Sequence, residues 1–359
     1  MSLAKSRLII FGGQARTGGS LCARLLDGCS RIFTLPHEPK LFLHQNFEQK
    51  YFQSLDSHCG AVRFEDLLIH HGMGDDKLFF KTLRNGGEYR NSSKNISKNI
   101  DLKSLEQALG EKHASPQDYF EFVFLYLRVA SNLLGFRDPV EFCCFQRSQL
   151  YSVNFDALKD ADNLIFFHTI RHPLDQLLSD IARGKKPVRL QDWLIDWAIS
   201  SLQALALQSD RYIPIRYEDI VSNPTVIARP LTKFGLEISP DQLFPSFDNK
   251  LWIGNSSFVS RANLYSDSIL KNSSNLSEVE VKNITDTIGS VMELAGYGAN
   301  SITEMPKPKK AEVMNLLCHF AASSAYKTRF EIGNSPFKAF LKQLTGRKWF
   351  ETYWNVRNS

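Results

Sequence analysis

Residues Leu8-Ile9-Ile10-Phe11 form a continuous apolar run that stops at Gly12-Gly13. A short run of this kind marks a strand buried on both faces, as in parallel sheets. A loop of small residues follows. Leu21, Cys22, Leu25 and Leu26 then recur at helical spacing, with Gly28 as a stop signal. The opening unit is strand, glycine-rich turn, helix. Leu164–Ile170 is a second strand of the same type. After it come Arg171-His172-Pro173, then Leu174, Leu177, Leu178 and Ile181 in helical period, ended by Gly184. Tyr212–Arg216 is a third strand. Asn223-Pro224 starts a helix, and Ser277 with Glu280 reads as a capping box. The helix that box opens carries Val281, Ile284, Ile288, Met292 and Ala295 on one face and stops at Gly296.

Ser115-Pro116 ahead of Asp118 opens a further helix, apolar nearly all round from Phe120 to Leu134, which predicts a core helix. The stretch Asn91–Asn99 is polar and predicts a surface loop. Strands alternating with helices predict an α/β fold with a central parallel sheet flanked by helices in three layers. Pro306-Lys307-Pro308-Lys309-Lys310 reads as a linker. The expected division is a domain of residues 1–300 and a C-terminal helical extension of residues 301–359.

The chain has 359 residues, 43% apolar and 23% charged, which excludes a disordered chain. Its net charge of +5 suits an anionic ligand and is too small and dispersed to argue for nucleic acid. Six cysteines form no C-x-x-C pair and no zinc spacing, so they read as reduced, mostly buried thiols and no metal site is expected. No apolar run reaches the ~18 residues of a membrane span. The nearest, Phe120–Phe136, carries Arg128 in its middle. The chain passes from Met1 through Lys5 and Arg7 almost directly into its first strand, without the pattern of a signal peptide. These features predict a cytoplasmic protein, in which the N-x-[ST] triplets, Asn91 and Asn283 among them, carry no meaning.

Gly13-Gln14-Ala15-Arg16-Thr17-Gly18-Gly19-Ser20 has the spacing of a nucleotide P-loop, G-x-x-x-x-G-K-[ST], with Gly19 in place of the lysine. In ATPases and GTPases that lysine reaches the terminal phosphates. The loop still predicts an anion cradle of backbone N–H groups. Arg16 restores a positive charge from within it.

Ala15-Arg16-Thr17-Gly18-Gly19-Ser20-Leu21 resembles the P-R-S-G-T-T-L signature of sulfotransferases, with Ala15 for Pro and Gly19 for Thr. The resemblance implies that Arg16, Thr17, Gly18, Gly19, Ser20 and Leu21 bind the 5′-phosphosulfate of 3′-phosphoadenosine 5′-phosphosulfate (PAPS). The product would be 3′,5′-ADP. Phe166–Pro173 and the helix after it resemble the family's second signature: an apolar strand, Arg-x-Pro, and a Ser eight residues after the Arg. That match implies that Arg171 and Ser179 hold the 3′-phosphate. Arg216-Tyr217-Glu218-Asp219-Ile220 through Pro224 resembles a third block, in which the Tyr lies against the adenine, here Tyr217. The pattern is nearest to the tyrosylprotein and bacterial type, and the three blocks span most of residues 7–300.

Sulfuryl transfer needs an in-line hydroxyl, a base, and cations on the sulfuryl oxygens; no metal is obligatory. The base must be a His or carboxylate near the loop. Pro36-His37-Glu38-Pro39 follows the first helix, where a second strand should end at the same sheet edge. The tyrosylprotein type uses a Glu in the equivalent stretch, which implies Glu38, with His37 as rival. Phe136-Arg137-Asp138-Pro139 resembles the K-D-P element of the same relatives and implies Arg137 beside the sulfuryl group. Asn255-Ser256-Ser257-Phe258 resembles a block that returns a Ser to the site, implying Ser256 and Ser257. The resemblance implies a hydroxyl acceptor, and protein tyrosine, carbohydrate and small-molecule hydroxyls all remain open. Two alternatives share the scaffold: a P-loop kinase or NTPase, against which the missing lysine argues, and a catalytically inactive nucleotide-binding protein.

Overall fold

A computed structural model describes residues 7–35, 131, 140–146, 164–182, 184, 187, 189–247, 250–251, 276–298 and 306–321. Its centre is a sheet of β1 (Arg7–Gly13), β2 (Ile32–Thr34), β3 (Phe142–Gln146), β4 (Leu164–Ile170) and β5 (Tyr212–Arg216). Their order is β2-β3-β1-β4-β5, and every neighbouring pair is parallel. The fold is therefore α/β with a five-stranded parallel sheet, as the alternation of elements predicts. All five C-terminal ends lie at one edge.

The apolar runs of β1 and β4 follow from their central places. Ile9, Phe11, Ile165 and Phe167 face one side, packed with α1 (Gly19–Leu25), α4 (Tyr217–Ser222) and α5 (Thr225–Leu231). Phe11 stacks on Phe167 at 4.9 Å between ring centroids. Burying each such ring contributes about 1.5–3 kcal/mol. Alternate residues face the other side, where Phe166 stacks on Tyr212 at 4.8 Å and α3 (Leu190–Ala206) packs on β5. His168 bridges that layer, 2.6 Å from the Tyr212 hydroxyl through Nδ1 and 3.0 Å from Ser200 Oγ of α3 through Nε2. Helices thus cover both faces. Pro214 lies in β5, the edge of the described sheet, where a missing N–H is tolerated.

α2 (Pro173–Ile181) follows β4, and α6 (Glu278–Leu294) packs on α3. The α6 capping box is formed by both Ser277 and Glu280, as the sequence predicts, and Gly296 ends the turn after the helix with φ +81°. Residues 306–309 are coil and lead into α7 (Lys310–Ala321), which also packs on α3. A pair of two-residue strands, β6 (Ser246–Phe247) and β7 (Lys250–Leu251), lies apart from the main sheet. Cys22, Cys29, Cys143, Cys144 and Cys318 are buried cysteines, and burial pushes the Cys29 thiol up to about 12. No described helix is long and apolar enough to cross a membrane. The expected Phe120–Leu134 helix and Asn91–Asn99 loop lie outside the described residues except Ser131, which is helical and buried.

Candidate functional site

From β1 the chain runs through α1 toward the β3 side of the sheet, and from β4 it runs toward β5. Neighbouring connections that diverge open a crevice above the strand ends, the usual place for a ligand in an open parallel sheet. The loop after β1 and the Arg171-His172-Pro173 turn after β4 border that crevice.

The loop follows an unusual path. Gly13, Arg16 and Gly18 have φ of +118°, +71° and +96°. Among the described residues Arg16 is the only non-glycine with positive φ, a conformation that costs about 1–2 kcal/mol for an L-residue. Its neighbours hold it there. Arg16 Nε donates to Ser179 Oγ of α2 at 3.1 Å, and the Arg16 carbonyl accepts from Arg171 Nη1 at 3.3 Å. One turn before Ser179, Gln176 donates through Nε2 to Gln14 Oε1 at 2.8 Å and to the Ala15 carbonyl at 2.9 Å. Beneath the loop, Thr17 Oγ1 lies 2.8 Å from the Gln14 carbonyl and 2.6 Å from Thr169 Oγ1, which donates to the Gly12 carbonyl at 2.7 Å. Thr17 is therefore a buried strut of the loop. The Leu21 side chain points into the core.

Tyr217 opens α4 and presses against the loop, where a Cβ on Gly18 would sit 2.3 Å from its Cδ2. The Arg171 guanidinium lies over the Tyr217 ring, 4.4 Å from its centroid. Behind this pair is a buried network. Glu218 accepts from the His172 backbone N–H at 2.9 Å and from the Tyr297 hydroxyl at 2.8 Å. The Tyr297 ring meets the His172 ring edge-on, and Trp197 Nε1 donates to the Arg171 carbonyl at 3.0 Å. Burial pushes the Glu218 carboxyl up, against the opposing effect of those two hydrogen bonds. Burial also lowers His172 and raises Tyr297. Arg216 clamps Asp219 with two hydrogen bonds, 2.8 and 2.7 Å, and donates to the Gly296 carbonyl at 2.7 Å. The turn carrying Arg171 is thus fixed from three elements.

Ser20 Oγ donates to Gln146 Oε1, 2.9 Å away at the end of β3, and Gln146 also crowds Gly19. The structure therefore brings Arg16, Thr17, Gly18, Gly19, Ser20, Arg171, Ser179 and Tyr217 to one edge of the sheet. β2 ends at Thr34, at that same edge but two strands from β1. His37, Glu38, Arg137, Ser256 and Ser257 lie outside the described residues. Among the described residues, no group of three His, Cys, Asp or Glu side chains could hold a metal ion.

Sequence reasoning missed Gln146, Gln176, Thr169, Glu218 and Tyr297. Gln176 carried a signal, since it sits three residues before Ser179 on the same helical face. Gln146 also carried one, as the polar end of the apolar run Phe142-Cys143-Cys144-Phe145. Tyr297 carried none.

No protein-family model and no curated protein matches the chain. Solved structures similar to it include the sulfotransferase domain of the Synechococcus PCC 7002 olefin synthase, at 16% identity and TM-score 0.39, covering 88% of this chain and 96% of that one. The sulfotransferase domain of the curacin biosynthetic pathway is similar at 17% identity and TM-score 0.40, covering 88% and 98%. A sulfotransferase from Mycobacterium avium is similar at 13% identity and TM-score 0.36, covering 80% and 76%.

Proposed function

We propose that the chain is a PAPS-dependent sulfotransferase that moves a sulfuryl group to a hydroxyl acceptor. The observation that carries this reading is the Arg16–Ser179 hydrogen bond. It joins the β1 loop to the helix after β4, so two cationic residues, Arg16 and Arg171, border one crevice as two phosphate sites would require. The residues fit such an anion. Arg171 Nε is buried with no hydrogen-bond partner among the described residues, a donor that a phosphate oxygen would satisfy. The positive-φ path through Gly13, Arg16 and Gly18 makes the loop backbone concave, suited to an anion.

PAPS supplies the activated sulfuryl group and leaves as 3′,5′-ADP. In this reading Arg16 and the loop from Thr17 to Leu21 hold the phosphosulfate, and Arg171 with Ser179 holds the 3′-phosphate. Tyr217 packs beside the adenine. Arg137 serves the sulfuryl end, and Ser256 and Ser257 help to bind the donor. The acceptor oxygen bonds to sulfur as the bond from sulfur to the bridging phosphate oxygen breaks, and Glu38 or His37 takes the acceptor proton. Charge develops on the departing phosphate, where Arg16 stabilises it. Calorimetric titration should find 3′,5′-ADP bound more tightly than ATP, and labelled PAPS should label members of a hydroxyl-acceptor library. Tighter binding of ATP with Mg²⁺, with no transfer from PAPS, would replace this reading with a kinase or NTPase.

A further inference from the structure

We infer that Tyr297 is a positioning residue for the second phosphate site: its hydroxyl occupies one oxygen of Glu218, and this keeps Arg171 aimed at, and available to, a 3′-phosphate. This rests on the donor reading above and adds the residue, beyond α6, that sets how strongly the 3′-phosphate is preferred.

Arg171 and His172 stand between the end of β4 at Ile170 and the start of α2 at Pro173. The peptide unit that joins them is gripped on both of its polar atoms by side chains. Its carbonyl, that of Arg171, accepts from Trp197 Nε1 of α3 at 3.0 Å. Its N–H, that of His172, donates to Glu218 Oε1 of α4 at 2.9 Å. Pro173 restricts the residue before it to extended backbone, and His172 has φ −49° and ψ 127°. The direction in which the Arg171 side chain leaves the backbone therefore depends on one side chain from each of two helices. Tyr297 meets both of them. Its hydroxyl donates to Glu218 Oε2 at 2.8 Å, and its ring centroid lies 6.4 Å from that of Trp197 and 5.2 Å from that of His172.

The same hydrogen bond keeps a carboxylate away from a cation. Each oxygen of Glu218 has its own donor, Oε1 the His172 N–H and Oε2 the Tyr297 hydroxyl. Two accepting oxygens are the pattern of an ionised carboxylate. Burial pushes that carboxyl up, and Arg171 is among the groups that oppose the push, so the two charges feel one another. Arg171 Nε is buried with no hydrogen-bond partner among the described residues. Without the Tyr297 hydroxyl, Glu218 would have an oxygen to offer Arg171, and an ion pair there would compete with phosphate. Tyr297 thus acts on the 3′-phosphate through Glu218, by holding the turn and by occupying the competing oxygen.

The test titrates wild type, Tyr297→Phe, Glu218→Ala and the double variant with 3′,5′-ADP and with 5′-AMP, and thermal melts confirm folding. Tyr297→Phe should weaken 3′,5′-ADP about 10-fold, the scale of one hydrogen bond to a charged group, and 5′-AMP by less than about 2-fold. Because Tyr297 acts through Glu218, the double variant should match Glu218→Ala alone within about 2-fold. Trp197→Phe, which releases the other end of the same peptide, should show the same 3′-specific loss. Equal losses for the two nucleotides in Tyr297→Phe, or losses that add in the double variant, overturn the inference. A second arm needs no nucleotide. The Arg171 Nε–H signal of nitrogen-labelled protein, assigned by its absence in Arg171→Lys, should shift when inorganic phosphate is added to wild type, and Tyr297→Phe should need about 10-fold more phosphate for the same shift. If wild type does not prefer 3′,5′-ADP, the donor reading fails and the phosphate arm decides the role of Tyr297. No shift in wild type, or an equal response in Tyr297→Phe, overturns that role.

Discussion

Gly18 and Tyr217 leave no space between them: a Cβ on Gly18 would lie 2.3 Å from Tyr217 Cδ2, well inside van der Waals contact. The contact locks the third sequence block onto the first. Gly18→Ala should therefore cost about 1–3 kcal/mol from overpacking and about 1 kcal/mol more from its positive φ. Denaturant unfolding would read the sum. The double variant Gly18→Ala/Tyr217→Ala should recover the steric share at that contact and leave the conformational share. Full recovery would mean that φ at 18 is unimportant.

Arg171→Ala should weaken 3′,5′-ADP far more than 5′-AMP, because only the former carries a 3′-phosphate. A hydrogen bond to a charged group contributes about 1.5–3 kcal/mol, or roughly 10- to 150-fold in affinity. Equal losses for the two nucleotides, measured by calorimetry, would remove Arg171 from the 3′-phosphate.

Two buried groups should tilt stability with pH in opposite directions. Burial lowers His168 from 6.5 to about 3, so the unfolded chain takes up a proton that the native chain refuses. Stability from this group is full above pH 6.5 and falls by about 1.4 kcal/mol per unit below it. Burial raises Glu218 above 4.5, so the native chain keeps a proton that the unfolded chain has lost. Stability from this group falls as pH rises from 4.5 through the raised value. Where the windows overlap, the slopes offset. Urea unfolding across pH 4.5–7.5 should show His168→Gln losing the acid-side decline and Glu218→Gln losing the opposite tilt. Unchanged slopes in both variants would contradict the assignment.

Glu38→Gln should lower kcat by about 10²–10⁴-fold with 3′,5′-ADP affinity nearly unchanged, the signature of a lost general base. His37→Gln should be much milder. The reverse pattern in steady-state kinetics would give His37 the role.

The central strands were legible because β1 and β4 are buried on both faces and need unbroken apolar runs. The loop was legible through spacing alone, since Gly18 and Ser20 have fixed offsets from the end of β1. β3 was not, because Cys143 and Cys144 read first as thiols and only second as strand residues. α3 also escaped. Its sequence mixes Asp192, Asp196, Ser200 and Gln203 among apolar residues, and no single stripe marks its buried side. The link between Glu218 and Tyr297 spans 79 positions and obeys no local period, so only the folded chain reveals it.

That link also orders events during synthesis. Arg171, His172 and Glu218 leave the ribosome long before Tyr297, the residue that caps the Glu218 carboxylate and packs on His172. A nascent chain ending near residue 290 has every described strand of the sheet yet lacks the hydroxyl on Glu218 and the Gly296 carbonyl that anchors Arg216. The turn that carries Arg171 is therefore secured late, by the residues just beyond α6.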